Sequence, residues 1–379
     1  VAEVRTGPLA AAALVVGGSV LALLLVEGAA SLWRFQTPWP SLTATWIARL
    51  RGLAGGAAAE GPWLQPILSD PSGLKAMVPA LERDGVGLGN APSVFQKHAQ
   101  GMALNEERDG CLRQRPNLDK VTGYLRAGLW DPLRPVTAFY DADAQLGPDV
   151  RDFLERYAVR RVRLRTDAHG ERRTLPAVDA VDVVLVAGDS VAQGALLADA
   201  ETLASQLQLR DRSRRYVNIG VAGAHAADVA CNLDEALARH HPRVRELVYV
   251  YCENDLDPRE PLGEPDGMVA WMRDRFAREP IDAVTVIYAP FIYNVVPDLT
   301  RFRGYRGWKQ DSHAPQRERL AALAEEAGFR WVDAGALALS LAGREGARMA
   351  ALAFFQDEVH WSPRGTALVA EALLTGGAR

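Results

Sequence analysis

Short apolar runs alternate with longer stretches of helical periodicity through the second half of the chain, and this alternation organises everything else. Residues 181–187 (Val-Asp-Val-Val-Leu-Val-Ala) are nearly all apolar, the pattern of a strand buried on both faces. Further runs at 215–219, 246–252, 283–289 and 330–333 predict four more strands. Helical patterns fall between and after them: from Ser190 to about Leu209, over 226–239, 268–278 and 316–328, and after Ser362-Pro363. The last start carries Ser at the N-cap and Pro at the first helical position. Strand-then-helix units repeated in this way predict a parallel sheet with helices on both faces.

The first half reads differently. Residues 8–26 form an apolar run without a charge, roughly 28 Å long as a helix, which matches a bilayer core. Trp33, Arg34, Phe35 and Trp39 follow as an interfacial belt. These features predict an N-terminal transmembrane anchor over 1–35. A cleaved signal peptide is the competing reading, with a poor cleavage context at 27–31. Residues 36–135 are rich in Pro, Gly and Trp and lack sustained periodicity, so they read as an irregular arm with short helices at 46–53 and 71–83. Gly85-Val86-Gly87-Leu88-Gly89 follows no clear strand and reads as a loop rather than a nucleotide fingerprint. Residues 150–158 read as a helix. The alternation at 159–165, the turn Asp167–Gly170 and the return at 171–175 predict a two-stranded hairpin before the core, its arginines on a solvated edge. The expected divisions are 1–35, 36–175 and 176–379, the last being the catalytic domain.

Composition narrows the class of function. The chain has 379 residues and a net charge of −4, which offers no basic field for nucleic acid. Its three cysteines, Cys111, Cys231 and Cys252, are too few and too scattered to suggest a disulfide framework or a zinc site.

The strand ends carry the candidate chemistry. In open α/β sheets ligands bind at the carboxyl edge. The first core strand stops at Gly188-Asp189-Ser190, which puts a hydroxyl there as a candidate nucleophile. Gly-Asp-Ser is also ordinary loop and N-cap chemistry. The second strand leads to Gly223, where a missing side chain lets a backbone N–H approach an oxyanion. The third leads to Asn254, whose amide can donate to the same oxyanion. Asp357 lies three residues before His360, so its carboxylate can fold back onto Nδ1–H and leave Nε2 to take a proton from Ser190. Each residue also has a bland reading as loop or helix-start polarity. His225, close behind Gly223, is a candidate lining residue, and His169 belongs to a turn.

Taken together, Gly188-Asp189-Ser190, Gly223, Asn254-Asp255 and Asp357-x-x-His360 resemble, in order and context, the SGNH (GDSL-type) hydrolase superfamily over about 200 residues. The third block departs from the usual Gly-x-Asn-Asp, reading Cys252-Glu253-Asn254-Asp255. The resemblance implies a three-layer flavodoxin-like fold with a five-stranded parallel sheet in the order 2-1-3-4-5. It makes Ser190 the nucleophile, His360 the base and Asp357 its orienting partner, with an oxyanion hole from Ser190, Gly223 and Asn254. No metal or cofactor is implied. It is similar to membrane-anchored bacterial members that face the periplasm, whereas Arg34, Arg49 and Arg51 tip the positive-inside balance toward a cytoplasmic bulk domain. The leading function is a membrane-anchored serine esterase acting on a small acyl ester, on a glycan or a lipid. An O-acyltransferase would use the same triad. A catalytically silent accessory subunit, docked to other membrane subunits through residues 1–135, is the third reading.

Overall fold

The computed structural model describes residues 71–89, 104–125, 136–253, 262–279, 281–295, 310–341, 353–357 and 359–376. The expected anchor and the 46–53 helix lie outside the described residues. Among the described residues no helix is long and apolar enough to cross a membrane.

The core sheet contains strands β7 (Val183–Gly188), β8 (Arg215–Asn218), β9 (Val244–Cys252), β10 (Ala283–Ala289) and β11 (Arg330–Asp333). They are all parallel, in the spatial order β11-β10-β9-β7-β8. Counted from β7 as the first core strand, this is the 2-1-3-4-5 order expected. β7 is buried along its whole length because both of its faces are covered. Each of Val183, Val184, Leu185 and Val186 is essentially inaccessible, and burial of such a side chain contributes roughly 1.5–3 kcal/mol. Val183, Leu185 and Ala187 point into a cluster with residues of α5 (Ala226–His240), α6 (Pro265–Phe276) and α8 (Gln310–Glu326). The helices α4 (Leu203–Arg210), α9 (Ala334–Ser340) and α10 (Pro363–Thr375) pack together as a second helical layer. Ser362 caps α10 by accepting from the Gly365 N–H at 3.1 Å.

The region before the core is more ordered than its sequence pattern predicts. Strands β1 (Gly87–Gly89), β4 (Asp119–Leu125), β5 (Val136–Asp141) and β6 (Ala158–Arg165) form an antiparallel sheet in the order β1-β5-β4-β6. Helices α1 (Pro71–Arg83) and α2 (Pro148–Tyr157) cover one face, where Leu81, Val86, Leu88, Leu125, Val136, Ala138, Phe153 and Leu154 cluster. The helix at 71–83 matches the expected one. The irregular arm does not survive for 87–89, 119–125 and 136–141, which are strands, and the supposed Gly85–Gly89 loop contains β1. These strands escape periodicity because they are short and Gly- or Thr-bearing, and their inward positions include polar Thr122 and Thr137. The expected hairpin at 159–175 is also replaced. β6 pairs with β4, and the returning segment touches it only through an isolated bridge, Thr166 to Arg172. β6 is nonetheless an edge strand, as its arginines suggested.

A separate hairpin, β2 (Asn105–Arg108) and β3 (Cys111–Gln114), lies on α5. Its turn residues Asp109 and Gly110 both have positive φ, 56° and 76°, the geometry that matches the twist of paired strands. Cys111 is bonded to Cys231 of α5 across 120 residues of sequence. This overturns the reading of the cysteines as unpaired: two residues remote in sequence meet because the hairpin folds onto the helix. Cys252 is buried and takes no part in a disulfide.

Candidate active site

β7 ends at Gly188 with φ +143°, and a Cβ there would lie 2.4 Å from the Val250 carbonyl of β9. Only glycine permits that approach. Asp189 then caps the one-turn helix α3 (Ser190–Gln193), accepting from the Val191 N–H at 2.8 Å. The expected helix from Ser190 to about Leu209 is interrupted. α3 stops at left-handed Gly194, Leu196 has φ 63°, and the chain restarts as a 3-10 turn (Asp199–Glu201) and α4. The nucleophile candidate therefore sits on a short turn held from below rather than on a long helix.

Three buried side chains do the holding. Arg172 donates to the carbonyls of Gln193 at 2.8 Å and of Gly194 at 2.5 Å, and also to that of Leu197. Burial pushes its guanidinium down to about 10, so it stays charged at neutral pH, with Asp199 at 3.6 Å as its counter-ion. Asn218, at the end of β8, donates to the Ala192 and Gln193 carbonyls at 3.1 and 3.3 Å. Gln356 reaches the Ala195 carbonyl at 2.8 Å. Gly220 completes the fit, since a Cβ there would lie 2.2 Å from the Gln193 nitrogen. These satisfy carbonyls that so short a helix leaves unpaired.

The second segment carrying candidate site residues is a tight loop. Phe355 and Trp361 form an antiparallel bridge, and the Gln356 N–H donates to the His360 carbonyl at 2.8 Å. Phe354, Phe355 and Trp361 are fully buried beneath it, Trp361 edge-on to Phe354 with centroids 6.1 Å apart. Inside the loop, Asp357 Oδ1 accepts the backbone N–H groups of Val359 and His360 at 2.9 and 2.7 Å. Its other oxygen, Oδ2, lies 2.6 Å from His360 Nδ1. An ionised carboxylate only accepts, so the imidazole carries its proton on Nδ1 and leaves Nε2 as the acceptor. Ser190 Oγ lies 2.9 Å from that Nε2. The 170 residues separating serine from histidine are thus closed to hydrogen-bond distance.

Ser190 has a second possible acceptor in its neighbour Asp189, whose Oδ2 is 3.1 Å from Oγ. Its single proton goes to one or the other. Both residues are buried, at 9% and 0% exposure, so the hydroxyl meets few waters.

The remaining expected site residues fall out differently. Gly223 lies in the turn after β8, exposed, with φ +76°. A Cβ there would meet only the tip of Leu112, at 4.0 Å, so the backbone conformation rather than crowding calls for glycine. His225 is the exposed N-cap of α5, its backbone N–H held by Asp228 at 3.0 Å. His169 sits in the turn expected. Asn254 and Asp255 lie outside the described residues.

Two contributors escaped sequence reasoning. Glu253, in the block that departs from the usual pattern, is completely buried at the end of β9. Its carboxylate accepts the Phe291 N–H at 2.7 Å, the Asn294 amide at 2.6 Å and the Tyr288 hydroxyl. Burial and that carboxylate raise the Tyr288 phenol far above its ordinary value, so it acts as a donor. The Glu253 side chain, beside the Cys252 departure, thus ties the end of β9 to the segment after β10. Tyr124 of β4 is the other. It is 4% exposed and its hydroxyl lies 3.4 Å from Asp357 Oδ2. Glu253 falls at the unspecified position of its block. Tyr124 has no motif around it, and a buried tyrosine in a strand reads as core.

No family model and no curated protein matches this chain. Among solved structures it is similar to a lipolytic G-D-S-L family protein from Veillonella parvula, with 16% identity over 52% of this chain and 97% of that one, at TM-score 0.40. An acetylxylan esterase, Axe2, from Geobacillus stearothermophilus matches with 17% identity over 52% and 94%, at TM-score 0.38. A carbohydrate acetylesterase family member from Sinorhizobium meliloti matches with 19% identity over 52% and 96%, at TM-score 0.37.

Proposed function

We propose that this protein is a serine ester hydrolase of the SGNH type that acts on small acyl esters. The observation carrying the proposal is the continuous relay from Ser190 Oγ to His360 Nε2 and from His360 Nδ1 to Asp357, at 2.9 and 2.6 Å. In that reading His360 takes the hydroxyl proton as Ser190 attacks the ester carbonyl. The carbonyl electrons move onto oxygen, for which the N–H groups of Ser190 and Gly223 and the Asn254 amide are the expected donors. Collapse breaks the acyl–oxygen bond, and the departing alkoxide takes the proton from His360. Water, deprotonated by the same imidazole, then attacks the acyl-enzyme and releases the carboxylic acid and free Ser190.

The same proposal places the catalytic unit outside the cytoplasm, tethered by residues 8–26, with a glycan- or lipid-borne ester as substrate. The Cys111–Cys231 bridge supports an oxidising compartment, because such bonds rarely persist in a reducing one. Hydrolysis of a chromogenic acetyl ester by the purified protein tests the activity. Ser190→Ala lowers kcat/KM by about 10³-fold or more while the melting temperature stays put. Equal turnover by the variant would remove Ser190 from the reaction.

A further inference from the structure

We propose that Tyr124, carried by the antiparallel sheet, is a positioning residue that tunes His360 through the shared carboxylate of Asp357. The inference rests on the hydrolase reading of the triad. Asp357 Oδ2 is approached from two sides, by His360 Nδ1 at 2.6 Å and by the Tyr124 hydroxyl at 3.4 Å. The second distance is long for an O–H···O contact, so it adds little to stability. Its effect is electrostatic: a hydroxyl dipole in a water-poor site draws on the same negative charge that holds the imidazolium.

A tyrosine is a costly choice here unless its hydroxyl is used. Phenylalanine would fill the space, and a buried hydroxyl without a partner is penalised. Burial, followed by the charge of Asp357, pushes the phenol well above its ordinary value, so it remains neutral and donates. The sheet also fixes where the hydroxyl points. Tyr124 is paired across the strands with Arg160, so the two side chains share a face. Arg160 forms an ion pair with Glu201, in the 3-10 turn that follows the nucleophile segment. Arg165, on the same edge strand, binds Asp199 at 2.7 Å. β4 and β6 are thereby anchored to the Ser190 segment while Tyr124 reaches the Asp357 loop. Among the described residues, the titratable and charged groups around the triad include Tyr124 from β4, Asp189 beside the nucleophile, and Arg160, which acts on the phenol and is itself paired with Glu201.

The test is the titration of His360 followed by NMR on histidine-labelled protein, its signal among the seven histidines assigned by loss in His360→Gln. In Tyr124→Phe, Asp357 no longer shares its charge, and the titration midpoint rises by about 0.5 pH unit. The acid limb of kcat/KM moves with it, while the plateau changes less than about threefold. A midpoint within about 0.1 pH unit of wild type overturns the proposal, as does a lower plateau with an unmoved midpoint, which is what a packing role gives. Should Tyr124→Phe not fold, a difluorotyrosine placed at position 124 keeps the shape and strengthens the donor. It lowers the midpoint if the proposal holds and leaves it unmoved if not. Because this readout needs no turnover, a shifted midpoint in a protein without esterase activity would refute the hydrolase reading alone. An active wild type with no shift would refute the coupling alone.

Discussion

The parallel sheet presents the candidate reacting groups from the end of its central strand β7 and from the loop before its last helix, whereas the antiparallel sheet contributes none of them and reaches the Asp357 loop through Tyr124. Ser190 follows β7, and the Asp357–His360 loop precedes α10. Tyr124, on an inner strand, and Arg160, on the edge strand beside it, project by contrast from a sheet whose other face is closed by its own helices. The difference teaches that a site can be assembled by one layer of the chain and adjusted by another. The groups that do chemistry need freedom at a strand end; those that orient them are better held on a rigid surface.

The comparison breaks most sharply at Asp357. Asp357→Asn keeps the loop's shape but replaces an acceptor with an amide that can present its donor to Nδ1. The imidazole is then pushed to the wrong tautomer, and kcat falls by about 10³- to 10⁴-fold. A variant of near wild-type kcat would show that the relay is not used. Next is the cradle under the nucleophile. Arg172→Met removes a buried cation from three carbonyls and from Asp199, and destabilises the protein by about 3–5 kcal/mol in urea unfolding. A change below 1 kcal/mol, on the order of a surface substitution, would mean that the turn supports itself. Smaller again is the staple on α5. Replacing Cys111 and Cys231 together by serine costs about 2–4 kcal/mol of thermal stability. Hydrolysis below the new transition should be nearly unchanged, because the hairpin stays paired and stays held at Asn105, whose amide donates to the Ala222 carbonyl at 2.5 Å.

How much of this the sequence disclosed follows from the physics of each region. β7 is legible because a strand buried on both faces must be continuously apolar, and the glycine that ends it is required by Val250. Ser190, Asp357 and His360 are legible because the order of polar blocks at strand ends is itself a pattern. β4 is not, since Asp119-Lys120-Val121-Thr122-Gly123-Tyr124-Leu125 packs a polar face against the catalytic unit and alternation fails to separate inside from outside. The hairpin was within reach: Asp109-Gly110 is the turn signal that twisted strands prefer. Its disulfide was not, because the pairing of Cys111 with Cys231 depends on a contact that only the fold creates. Arg172 is invisible for a related reason, since an arginine among arginines reads as solvated until its depth is known. Glu253 stood at the unspecified position of the third block, next to the Cys252 departure, and its meaning came from the donors around it, the Phe291 N–H, Asn294 and Tyr288.

The central claim is that Ser190 is a hydroxyl made nucleophilic by His360. Incubation with a fluorophosphonate, followed by peptide mass spectrometry, tests this directly. A single phosphonyl adduct is expected on Ser190 of the wild type, formed far more slowly in His360→Gln. An unmodified Ser190 in folded wild-type protein, or an adduct that forms equally fast without the imidazole, would contradict it.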